Sequence, residues 1–177
     1  MLLSIVAGIV LGVLSKLVDY VAPSWTGNSL GLWLLVAFLV ALGARSWREA
    51  ALRGCVALVI ANAAYYGWRL TVPDNISLRF AARAFSFWTA LAIPAGLVAG
   101  VAATHRREGL ALPAGGFVGE AVVTALVGGR VGHAVAAGVI GAFLTGLTKW
   151  TLKGAGAALA AAAAVTGAVA LREVFLV

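Results

Sequence analysis

Long uninterrupted apolar runs restrict this chain more than anything else in it. "MLLSIVAGIVLGVL" begins it, "LGLWLLVAFLVALGA" follows the first polar break, and "GAGAALAAAAAVTGAVA" comes near the end. Apolar and polar residues do not alternate in these runs, so they do not read as strands of a half-wetted sheet; their length reads as helix. Of the 177 residues, 63% are hydrophobic and 11% charged, too little charge to clothe a surface facing water. A bilayer removes the contradiction, because apolar side chains then face lipid. Backbone amides in hydrocarbon must pair internally, which leaves helices or a closed barrel, and the composition favours helices. The expectation is an all-α, polytopic transmembrane bundle of the cell membrane, one domain over 1–177, with the lipid bilayer as its first partner.

Seven spans are expected, near 2–22, 28–45, 49–68, 84–104, 112–129, 131–149 and 155–175. Six is the alternative, because "GGRVG" between the fifth and sixth reads either as a tight hairpin or as a break in a re-entrant pair. The N-terminus lacks a basic leader and an A-x-A site, so it reads as a retained first span. The stretch 69–85 reads as an outer connection containing a short interfacial helix. A cytoplasmic N-terminus puts Arg45, Arg48, Arg53, Arg106, Arg107, Lys149 and Lys153 inside, and Arg69, Arg79, Arg83 and Arg130 outside. That bias agrees with the positive-inside rule.

The net charge of +7 is spread over span ends, where orientation and anionic headgroups account for it. No nucleic-acid motif accompanies it. Cys55 is the one cysteine, so no internal disulfide or cysteine metal cluster forms. His105 and His133 fall on opposite sides and share no metal. There is no nucleophile elbow, P-loop, HExxH or cofactor motif, and the chain does not read as an enzyme. Small residues are expected to set the packing: Gly8 with Gly12, Gly115 with Gly119, and a face of Ala134, Gly138, Ala142 and Gly146.

Against this background Glu120 stands out, at about the middle of the span 112–129. A carboxylate at that depth must face the interior, pair, or be protonated. Arg130 lies ten residues further along the same helix, about 15 Å away in height, and is out of reach. Asn62, Thr145 or a wet cavity are the expected partners. Arg130 and His133 read as part of an outward polar pocket. Lys16 and Asp19 suit a same-helix ion pair, with Tyr20 one turn from Lys16. Arg79 and Arg83 share a helix face among aromatics that include Trp25 and Trp33, an arrangement fit for an anionic or planar ligand. The expected function is binding or transport of a small solute, with Glu120 as a proton-coupling or ligand-contacting acid. The alternative is an accessory subunit that docks on a partner, or on a second copy, through its small-residue faces.

The stretches "GIVLGVLSKLVDYVAPSWTGNSLGLWLLVAFLVALGARS" (8–46) and "LALPAGGFVGEAVV" (110–123) resemble an uncharacterised family of small multi-pass actinobacterial membrane proteins. That resemblance implies no activity. A weaker one is to the substrate-binding S components of energy-coupling-factor transporters. It implies a first helix that docks on a transmembrane partner through Gly8 and Gly12, and an outward pocket lined by Trp25, Trp33, Arg79 and Arg83.

Overall fold

A computed structural model describes residues 1–21, 29–71, 77–127, 131–148, 158–165 and 167. The described residues form α1 (Leu2–Val21), α2 (Leu30–Ala41), α3 (Trp47–Thr71), α4 (Leu78–Ala103), α5 (Ala111–Val127) and α6 (Val131–Leu147). A further helical stretch covers 158–165, and there is no strand among the described residues. Segments over Leu2–Tyr20, Trp47–Trp68 and Leu78–Ala103 are long and apolar enough to cross a membrane. Leu2, Leu3, Val6, Val10 and Leu14 are exposed on α1, as are Val135, Val139 and Phe143 on α6. Apolar surface of this extent suits lipid and would be a liability in water.

Glycines determine how the helices meet. Gly8 and Gly12 of α1 rest on the backbone of α3 at Ala57 and Ala61, in ascending order, so α1 and α3 run parallel. Gly54 of α3 faces Gly96 and Gly100 of α4, and Gly100 lies against Ala50, so this pair is antiparallel. Gly115 and Gly119 of α5 rest on Ala158 and Ala162, again parallel. The first helix of the chain and the fifth therefore dock alike, each through a GxxxG face on alanines two helices further on. The sequence echoes this: "AGIVLG" (7–12) matches "AGGFVG" (114–119), and "LRGCVALVIANAAYYG" (52–67) matches "LKGAGAALAAAAAVTG" (152–167).

Two elements depart from the expected spans. The run 28–45 yields only the 12-residue α2, which rises about 18 Å against a hydrocarbon core of about 30 Å. Its start is fixed by Ser29, whose extended backbone and hydroxyl cap the helix at the Leu32 amide. Of the stretch 69–85, expected to contain a short interfacial helix, residues 78–85 are the start of α4, capped by Ser77 at Phe80.

The α3–α4 seam yields a stability prediction. A Cβ at Gly100 would overlap the Ala50 carbonyl, whereas one at Gly67 meets nothing within 4 Å. Gly100→Ala should cost about 1–3 kcal/mol through forced backbone separation. Gly67→Ala should be neutral or slightly stabilising, through better helix propensity. Thermal unfolding in detergent checks both.

Candidate functional site: a buried carboxylate between two helical units

α5 and α2 lie antiparallel, and one contact determines how closely. Gly31 has no side chain, and the Phe117 ring occupies the place a Cβ would take. Glu120 lies one turn beyond Phe117, so the close approach brings its carboxylate to the first turn of α2. Oε2 accepts from the Gly31 amide at 3.0 Å and from the Ser29 hydroxyl at 2.9 Å. Ser29 also accepts from the Leu32 amide at 3.3 Å, so it passes polarity from the helix end to the carboxylate. Oε1 lies 2.7 Å from His133 Nε2 on α6. Glu120 is 7% exposed, His133 5% and Ser29 8%.

The first turn of a helix leaves amide donors without intrahelical partners and carries partial positive charge. A carboxylate there is stabilised twice, by direct hydrogen bonds and by the helix dipole. His133 adds a third partner. Glu120 is thus held by α2 and α6 together, rather than by the expected Asn62 or Thr145. Asn62 is occupied elsewhere: its Nδ2 donates to the Phe85 carbonyl at 3.1 Å and to Thr89 Oγ1 at 2.6 Å, joining α3 to α4. The remaining Asn62 atom, Oδ1, is buried without a hydrogen-bond partner, and so is Trp33 Nε1 on α2. Trp33 packs against Tyr65, Tyr66 and Ala84.

The other expected residues divide. Lys16 is buried, with its ammonium 4.7 Å from the Tyr20 ring centroid and 5.9 Å from that of Tyr65. Asp19 accepts from the Tyr65 hydroxyl at 2.5 Å. This is a second polar knot, tying α1 to α3. Arg79 and Arg83 are exposed on α4, outside the Glu120 cluster. Trp25 and Arg130 lie outside the described residues. The expected packing face of α6 is turned outward: Ala142 and Gly146 are exposed, and Gly138 only approaches Ala121. Pointing His133 at Glu120 sets the rotation of α6, which brings Ala137, Gly141 and Leu144 inward instead. Sequence reasoning passed over Ser29 and Gly31, although a serine immediately before an apolar run is an N-cap signature.

The whole chain, residues 1–177, matches the model of a family described as a family of unknown function (DUF6518). The chain belongs to that family. No curated protein matches it, and no solved structure matches it.

Removing the carboxylate while keeping its donors should be costly. Glu120→Ala leaves the Ser29 and Gly31 donors buried and unpaired, and should destabilise by about 1–3 kcal/mol. A double-mutant cycle between Glu120→Ala and His133→Ala should give a coupling of about 0.5–1.5 kcal/mol. Unfolding in detergent measures both, and strictly additive effects would show that the pair contributes nothing.

Proposed function

We propose that the chain is a multi-pass protein of the cell membrane that binds a small solute and moves it across, with Glu120 and His133 as its proton-handling pair. The proposed topology has seven spans and a cytoplasmic N-terminus. α2 is the short one, a helix that begins within the bundle. The observation that carries this reading is the position of Glu120. It belongs to α5, in the second of two units that dock alike, and it clasps the N-terminus of α2, in the first.

Transporters built from repeated helical units hold their sites at the junction between the units, where broken helices present free ends. A buried acid and histidine in a span are the usual parts of a proton relay. Protonating Glu120 removes the charge that holds His133 and the Gly31 amide, and so loosens α5 from α2. Deprotonating it restores the clasp. Asn62 Oδ1 and Trp33 Nε1, buried without hydrogen-bond partners, are the acceptor and donor proposed for a polar solute. The resemblance to energy-coupling-factor S components remains a proposal about solute class only. Their mode of docking through Gly8 and Gly12 does not carry over, because α3 covers that face.

The test uses proteoliposomes enclosing a pH-sensitive dye, challenged in turn with amino acids, monosaccharides, carboxylic acids and B-group vitamins. One class should change the internal pH. Glu120→Gln, which keeps an oxygen for Ser29 and Gly31 but carries no titratable proton, should abolish that response while thermal unfolding in detergent shows the variant still folded. A full response from Glu120→Gln, or none from the wild type with any class, would overturn the reading.

One observation favours the accessory-subunit alternative. Ala142 and Gly146 lie exposed beside Val139 and Phe143 on α6, a smooth strip of the kind on which a second transmembrane helix packs. Co-purification of one stoichiometric partner in mild detergent, lost in Gly146→Leu, would support it.

A further inference from the structure

Where α3 ends and α4 begins, the two helices leave an open groove of about 350 Å³. Ala63, Tyr66 and Gly67 form one wall, and Leu78, Ala82 and Phe85 the other. The lining is almost wholly apolar, and the space above Gly67 is empty to 4 Å. Each of the two residues Leu78 and Ala82 is followed directly by an arginine. Arg79 and Arg83 thus stand one turn apart on the adjoining face of α4; neither lines the groove, and both are exposed.

No carboxylate competes for them among the described residues. Asp19 receives the Tyr65 hydroxyl, Glu120 is clasped by α2 and His133, and Glu49 is paired with Arg53. Glu108 lies beyond the far end of α4. α4 has 26 residues and is about 39 Å long, some 9 Å more than a hydrocarbon core of about 30 Å. That excess, with both arginines in its first two turns, fits a headgroup-depth start for α4.

A water-soluble anion would find the two guanidinium groups but nothing polar in the groove. A neutral lipid would find the groove but leave both charges unanswered. We infer that this groove seats one anionic glycerophospholipid, with an acyl chain along Tyr66, Gly67, Leu78 and Phe85 and the phosphate bridging Arg79 and Arg83. The planar fork of arginine suits two phosphate oxygens at once. This site is separate from the Glu120 cluster and does not depend on the transport proposal.

Native mass spectrometry of the full chain, released from detergent, tests it with three probes of known composition. These are phosphatidylglycerol, phosphatidylcholine with the same acyl chains, and glycerol phosphate. One phosphatidylglycerol should be retained in preference to phosphatidylcholine, and glycerol phosphate should not displace it. The Arg79→Ser/Arg83→Ser variant should lower phosphatidylglycerol affinity at least about tenfold. Ala82→Trp, which fills the groove and spares the charges, should lower it as well. All the substituted side chains are exposed, and thermal unfolding confirms that both variants remain folded. Equal retention of the two lipids, or unchanged affinity in either variant, would overturn the proposal. Displacement by glycerol phosphate would overturn it in favour of a site for a free phosphate ester.

Discussion

Helices in lipid have no hydrophobic reason to associate, since a hydrocarbon tail solvates leucine as well as another leucine does. Everything else in this fold depends on how that missing force is replaced. The replacement is direct backbone contact. At Gly8, Gly12, Gly54, Gly100, Gly115 and Gly119 the partner is the backbone of another helix, closer than any Cβ would permit. Dispersion is individually tiny, but it falls steeply with separation. Glycine seams therefore gain most where side chains would hold two helices apart.

Close contact of this kind makes polar pairing possible. Gly31 lets the Phe117 ring settle on α2, and that distance determines whether a carboxylate one turn on can reach the helix end. A larger residue at 31 would move α5 outward and leave Glu120 facing a gap. The glutamate, the serine cap and the glycine form one device, in which the close approach at the glycine lets the carboxylate reach both donors. Asn62 works on the same principle in the α3–α4 seam. Its amide reaches the Phe85 carbonyl and Thr89 because Gly54, Gly96 and Gly100 have already brought the two helices together.

The sequence discloses composition-level facts well and pairings poorly, for a physical reason. Helices and apolar faces follow from local runs, and α1 and α3 can be read from them to within about three residues, whereas α4 starts at Leu78, well before the expected 84. The GxxxG faces of α1 and α5 are legible too, because small residues four apart share a side. The length of α2 is not legible. Its apolar run continues to Ala44, past the helix end at Ala41, while a carboxylate 89 residues away holds the Gly31 amide at its start. Glu120 and His133 are both conspicuous as residues, yet their contact is not. Height along a single straight helix argues against Arg130 as a partner but says nothing of what the next helix presents. The small-residue stripe of α6 misleads for a related reason. Four-residue spacing describes several faces of one helix, and the rotation that chooses among them is set by His133.

The two polar knots differ in what they can do. Lys16, Asp19 and Tyr65 join α1 to α3 within one unit, whose backbones are already locked by Gly8 and Gly12. Loosening that knot would leave the glycine seam intact, so it suits a structural role. Glu120 joins α5 to α2 across units, where Gly31 meets both the ring and the backbone of Phe117 and Gly116 meets the Leu34 side chain. Side chains change rotamer at less cost than two backbones in contact can separate. That contact therefore combines a backbone approach with adaptable side chains, and its polar element is the Glu120 clasp on Ser29, Gly31 and His133. Across the units, hydrogen bonds to a helix end supplement what glycine seams alone supply within them.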